Sequence, residues 1–270
     1  MKFITAIWGE EKSHKTSTAL TWPKPIVHFD IDVGGYSRAA WRLETTGIVS
    51  KPYIIQVGIE ELIGVDKSSA TIRFPKRVVG YRECWEQLVT DYIEACRNPE
   101  VKTIVFDSAT QLWQICHKNE LQIKQEIQLS KNPRMADSEL RERLQPIEFP
   151  NDRMRSLIYT ARSYGKYLVL THYPRDIYVE RSTENGTKEV KSGEQEIDGF
   201  KETERLVDVV IRNEWKSVTV SGKRTKELVS TITRCGLPGL GTTATGLPLS
   251  ESSFQGLCSL AESMGAKLED

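Results

Sequence analysis

Gly9-Glu10-Glu11-Lys12-Ser13-His14-Lys15-Thr16 is the stretch of this 270-residue chain whose residue types and spacing most directly suggest chemistry. It follows a short apolar run, Phe3 to Trp8, and fits the frame G-x4-G-K-[ST] with His14 in place of the second glycine. In the intact frame, backbone N–H groups curl round a phosphate, the lysine meets the outer phosphate oxygens, and the hydroxyl ligates Mg2+. Lys15 and Thr16 hold those two places, and Gly9 to Ser17 is the candidate phosphate-binding segment. His14 carries a side chain where glycine is usual. Glu10 and Glu11 add negative charge beside any polyphosphate. The plainer reading is a strand-to-helix turn with an exposed Lys-Thr pair.

Three further apolar runs end in polar residues. Pro25 to Ile31 ends at Asp30 and Asp32, where a carboxylate could polarise an attacking water. Ile104-Val105-Phe106 ends at Asp107, a position that can hold the water shell of magnesium. Tyr167 to Leu170 ends at Thr171-His172, where a polar group could sense a phosphate. Each has a bland counterpart: solvated loop acids, a helix cap, a capping residue.

The elements that must position these residues are legible from periodicity. Trp85, Leu88, Val89, Tyr92, Ile93 and Cys96 mark one face of an amphipathic helix that Asn98-Pro99 stops. Met154, Leu157, Ile158 and Ala161 mark another, closed by Gly165. Continuous apolar strands alternating with helices predict an α/β fold with a mostly parallel sheet covered on both faces. Leu206 to Arg212, Ser217 to Val220 and Glu227 to Thr233, around Ser221-Gly222, predict antiparallel strands added at the end. Without a repeat or low-complexity linker, residues 1–270 read as one domain.

These strand ends, in this order, resemble the RecA-like P-loop ATPases, most closely the phage-type nucleotide-binding AAA proteins, some of which are single-strand-annealing or recombination factors. The residues that carry the resemblance are Gly9 to Thr16, Phe29 to Asp32, Val105 to Ser108, Leu168 to His172 and Asp208 to Arg212. The resemblance implies ATP and Mg2+ as ligands. It makes Lys15 the phosphate lysine, Thr16 and Asp107 the magnesium residues, Asp32 the catalytic carboxylate and His172 the sensor. The family often has Glu where Asp32 stands. It also implies a homo-oligomer in which a basic residue of a neighbouring copy completes the site. Arg234 is the candidate, with Lys223 and Arg224 as alternatives.

Composition bounds the partners. Lys plus Arg and Asp plus Glu both number 37, so the chain is neutral and any DNA surface must be local. Hydrophobic residues at 39% and charged residues at 27% suit a globular protein, and no apolar run is long enough to span a membrane. Five cysteines without a CxxC pair argue for reduced thiols in a cytoplasm and against zinc.

Residues 109–150 read as a helical excursion, with helix-like stretches at Lys118 to Gln128 and Asp137 to Leu144. Residues 173–205 read as a hairpin around Asn185-Gly186. Two stretches are basic. Lys67, Arg73, Lys76, Arg77 and Arg82 lie in residues 67–82 without an acid; Arg212, Lys216, Lys223, Arg224, Lys226 and Arg234 lie in residues 212–234 against Glu214 and Glu227. Phe74 and Trp215 beside them would suit stacking on single-stranded DNA. The function expected is therefore a RecA-like ATPase acting on single-stranded DNA in recombination, annealing or replication. The alternatives are a nucleotide-binding scaffold with a degenerate loop and a small-molecule kinase. Against the last stands the absence of an arginine-rich lid.

Overall fold

Apolar runs of β-branched and aromatic residues form the interior strands because both faces of each must be covered. In the computed structural model, β1 (Ile4–Trp8), β2 (Ile26–Asp30), β3 (Ile48–Pro52), β4 (Gly64–Asp66), β5 (Thr71–Arg73), β6 (Thr103–Asp107), β7 (Tyr167–His172), β8 (Pro174–Thr183), β9 (Gly186–Ile197), β10 (Val209–Val220) and β11 (Lys223–Cys235) follow one another along the chain. Seven of them form one sheet in the order β11-β10-β1-β7-β6-β2-β3. Every pairing in it is parallel except β10 with β11. The structure describes residues 2–55, 64–66, 71–73, 76–144, 150–183, 186–220 and 223–268, and Lys67, Phe74, Asn185, Ser221 and Gly222 lie outside them.

Every residue of β1, β2, β6 and β7 is buried. Alternate side chains feed two cores. Phe29, Ile104, Phe106, Leu168 and Leu170 pack on one face beneath α3 (Tyr81–Arg97), α4 (Ala109–Lys131) and α5 (Pro150–Ser163). Phe3, Ile7, Val105, Val169 and Ile211 pack on the other, where Leu20, Trp22, Phe254 and Leu257 cover them. That second layer includes α1 (Lys15–Ala19), α2 (Gly35–Ala40) and α7 (Phe254–Ser263). A short α6 (Thr203–Leu206) leads into β10.

The expected faces of α3 and α5 are the buried ones. Gly165 ends α5 in the left-handed region, φ +61°, while Lys166 N–H donates to the Ala161 carbonyl. The excursion differs from expectation. Lys118 to Gln128 is the middle of one 23-residue helix, α4, whose first turn is capped by the Ser108 hydroxyl accepting from Gln111 N–H. Asp137 to Leu144 holds only a 3-10 turn at Asp137–Glu139. With one buried apolar residue there, Leu140, no continuous face exists for a helix to bury.

The chain end also differs in detail. The two β segments expected at Leu206 to Arg212 and Ser217 to Val220 join in one strand, β10, which starts only at Val209 because Leu206 ends α6. Its first four residues extend the parallel sheet beside β1, and the rest runs past the end of β1 as an antiparallel ribbon with β11. The 173–205 hairpin is present as β8 and β9, paired from Pro174–Ile197 out to Thr183–Gly186.

Candidate functional site

A cavity of about 380 Å3 opens where β1, β6 and β2 end. Lys12 to Ser17, Asp32 and Asp107 all line it, so most of the residues singled out in the sequence converge there. Gly9 is obligatory for the turn out of β1: a Cβ at that position would lie 2.1 Å from the Asn213 carbonyl oxygen of β10. The Asn213 amide in turn donates to the Ser13 carbonyl, 3.1 Å, and to Thr18 Oγ1, 3.0 Å, and accepts from Ser230, 2.7 Å. The loop is thereby fastened to the ribbon.

Lys15 is buried. Its Nζ donates to the Gly9 and Glu10 carbonyls, both 2.8 Å, and lies 4.4 Å from the centre of the Tyr173 ring. Burial lowers its pKa to about 8 against the pull of Asp107 and Asp32, so it is still protonated at neutral pH. Neither Glu10 nor Glu11 lines the cavity. Glu10 is turned outward, where its carboxylate accepts from Gln195 of β9 at 2.8 Å, and Glu11 is exposed.

Thr16 Oγ1 donates to Asp107 Oδ2 at 2.6 Å. Asp107 also accepts from the Thr171 hydroxyl, and His28 Nε2 stands 3.4 Å away. The carboxylate is fully buried. Burial alone would raise its pKa, but His28, Thr16 and Thr171 together hold it below the usual range, so it stays ionised. Gly35 opens α2 directly above this pair; a Cβ there would sit 2.8 Å from Asp107 Oδ2 and 3.2 Å from Thr16 Oγ1. Behind them, Asp30 Oδ1 is buried without a hydrogen-bond partner. A hydroxyl and an ionised carboxylate in contact, with a second carboxylate close by, fit a hard cation that keeps water and phosphate as its remaining ligands. Among the described residues no group of three or more His, Cys, Asp or Glu side chains is set to hold a metal alone.

Asp32 faces the same cavity and accepts from the Tyr173 hydroxyl. Desolvation raises its pKa, only partly offset by that bond. His172 lies elsewhere than expected. It is fully buried, its Nδ1 bonds to the Asp198 carbonyl at 3.1 Å, and it does not line the cavity. Successive residues at the end of β7 point to opposite sides, so Thr171 and Tyr173 reach Asp107 and Asp32 while His172 points away. Arg234 pairs with Val210, which stands beside Ala6, two residues short of the end of β1; its guanidinium binds Glu204 at 2.8 Å. It does not reach the cavity of its own chain. Trp215 donates its indole N–H to the Lys12 carbonyl at 3.1 Å and takes the His14 ring edge-on.

Sequence reasoning missed Tyr173, Asn213, Arg38 and Arg42. The first two act across more than 140 positions of sequence, and the arginines belong to no motif.

A mostly parallel sheet with the loop strand β1 next to β7, the Asp107 strand β6 beyond it, and lysine, hydroxyl and carboxylate gathered at the strand ends defines a RecA-like P-loop ATPase fold. The family model described as "AAA domain" matches residues 1–234, and the chain belongs to that family. Solved structures that it resembles include a KaiC-like protein of the hyperthermophilic archaeon Pyrococcus horikoshii OT3. That match has 11% identity and a TM-score of 0.41, over 92% of this chain and 83% of that one. Another is the flagellar accessory protein FlaH of Methanocaldococcus jannaschii, at 11% identity and a TM-score of 0.43, over 91% and 81%. No curated protein matches the chain.

Proposed function

We propose that this chain binds Mg-ATP, hydrolyses it, and works on single-stranded DNA in the cytoplasm. One observation carries the nucleotide half: Lys15, Thr16, Asp107 and Asp32 meet in a single cavity. Lys15 would exchange its bonds to the loop carbonyls for phosphate oxygens. Thr16 and Asp107 would hold Mg2+, which when bound neutralises phosphate charge. Asp32, desolvated and held by Tyr173, would orient a water and take its proton.

The DNA half rests on charge. In a neutral chain the ribbon carries Lys216, Arg224 and Lys226 exposed, rooted at the loop through Asn213. Among the described residues no helix is long and apolar enough to cross a membrane. Arg234, remote from its own cavity and 63% exposed at the side chain, serves the nucleotide only in a self-assembled form, at a neighbouring copy.

The test is ATP turnover measured with and without single-stranded DNA, alongside light scattering. Turnover that rises with DNA and with protein concentration supports the reading. A second reading, a nucleotide-binding scaffold without turnover, is favoured by Lys15 being engaged by the loop itself and by the His14 side chain within the loop. Tight ATP binding with no hydrolysis under any DNA condition selects it.

A further inference from the structure

His14 stands where the phosphate-loop frame has glycine, and the structure gives that substitution a purpose. Its backbone is in the left-handed region, φ 60° and ψ 23°, the conformation a glycine would adopt freely. A histidine there carries a steric cost that must be offset locally. Two contacts do so. The ring meets Trp215 edge-on at 5.4 Å, and Nε2 lies 3.2 Å from Arg42 Nη1. Guanidinium nitrogens only donate, so Nε2 is the acceptor and the imidazole is neutral with its proton on Nδ1.

Arg42 reaches this contact because of where α2 begins. Gly35 lies against Thr16 and Asp107, and Gly35, Arg38, Ala39 and Arg42 line the cavity at spacing i, i+3, i+4, i+7. Gly35, Arg38 and Ala39 share one face of α2, aimed at the loop, and Arg42 lies in the turn that follows the helix. Four cationic side chains, Lys12, Lys15, Arg38 and Arg42, therefore face two carboxylates, Asp32 and Asp107, in a space sized for a nucleotide's polar end. Trp41, 74% exposed, flanks the Arg42 guanidinium at 4.8 Å.

We infer that His14 is a positioning residue that holds Arg42 at the mouth of the cavity as an additional polyphosphate-binding cation supplied by the same chain. This rests on the nucleotide-binding reading above and deepens it. The missing glycine is then not decay of the loop. His14 exchanges the freedom of a glycine for a bracket, and Arg42 becomes a phosphate contact that needs no neighbouring copy. It differs in kind from Arg234, whose contribution would require assembly.

The test is a double-mutant cycle read by calorimetric ATP affinity rather than turnover: parent, His14→Gly, Arg42→Ala and the double variant. Arg42 is an exposed side chain, and glycine relieves the backbone at position 14. Matched melting curves check that all four fold. The expected result is that Arg42→Ala weakens ATP about tenfold, as for loss of one charge-assisted contact. His14→Gly should weaken it by about threefold or more, since Arg42 is no longer held, and the double variant should be no weaker than Arg42→Ala alone. His14→Gly binding ATP as well as or better than the parent overturns the inference. So does Arg42→Ala binding at parental strength, or strictly additive losses. A parent that binds no nucleotide fails the underlying reading instead, an outcome separable from a parent that binds without coupling.

Discussion

The corner around Asp107 and the mouth around His14 meet the same loop two residues apart, at Thr16 and at His14, and are built by opposite means. At the corner, Thr16, Thr171 and His28 converge on a single buried carboxylate. Thr16 contributes from the first helical turn, Thr171 from near the end of β7 and His28 from the middle of β2, and moving any of them takes a partner from that buried carboxylate. At the mouth, His14, Arg42, Trp41 and Trp215 are half-buried or exposed and hold one another by edge contacts and one hydrogen bond. The corner is specified by burial. The mouth is specified by shape, with each contact worth little in water.

Four measurements break or sharpen that contrast. The largest effect is expected at Asp32, which joins the corner's chemistry to the open cavity. Asp32→Asn should keep ATP affinity within about threefold while hydrolysis falls by about a hundredfold or more, as for removal of a general base. Hydrolysis at the parental rate removes Asp32 from the reaction.

Next in size is a pH effect on stability behind the corner. Burial lowers the His172 pKa to about 4, from an unfolded value near 6.5. The folded state thus resists a proton that the unfolded state accepts. Stability from this residue is full above about pH 6.5 and declines as pH falls toward 4, by on the order of 3 kcal/mol in total. Denaturant melts between pH 7 and pH 4.5 should show a steeper decline for the parent than for His172→Asn. Parallel curves would mean the ring is protonated or hydrated in the fold.

Lys15→Ala comes third. Loss of a charge-assisted phosphate contact costs about 1.5–3 kcal/mol, tenfold or more in calorimetric ATP affinity. The smallest effect belongs to the mouth. Trp215→Phe keeps the ring against His14 but loses the indole bond to the Lys12 carbonyl, and ATP affinity should fall by about fivefold or less. A loss larger than that of Lys15→Ala would reverse the ranking of the two regions.

The strand ends of the corner are legible in the sequence, though His28 is not; at the mouth His14 and Trp215 are legible singly, but not their neighbour Arg42. Lys15, Thr16 and Asp107 follow apolar runs whose parallel pairing brings their ends together, so motif and fold are read from one signal. The same holds for α3 and α5, whose buried faces are apolar at helical spacing. The length of α4 escaped because much of its buried face is polar: Asn119, Glu120, Gln122 and Gln125 are all buried. Gln122 accepts from the Tyr81 and Arg82 N–H groups, and Gln125 accepts from Val78 N–H, so the second half of the helix serves a neighbouring segment while Leu112, Ile115 and Cys116 of its first half serve the core. His172 looked like a sensor because it ends a strand. Strand alternation turns Thr171 to Asp107 and Tyr173 to the cavity instead. Arg42 carries no signal in one dimension, since its importance arises from Gly35 setting α2 against Thr16.

The ribbon of β10 and β11 has a mechanical consequence. From Asn213 to Val220, β10 continues past the end of β1, which at about 3.3 Å per residue is an arm of roughly 26 Å. Its fulcrum is Asn213, whose amide holds Ser13 and Thr18 on the loop side. A load applied at the tip is delivered as torque to the residues beside Lys15. Tilting the arm must strain those two bonds together with the Trp215 bond to the Lys12 carbonyl. The arm is in this sense a tiller, and the loop is its rudder.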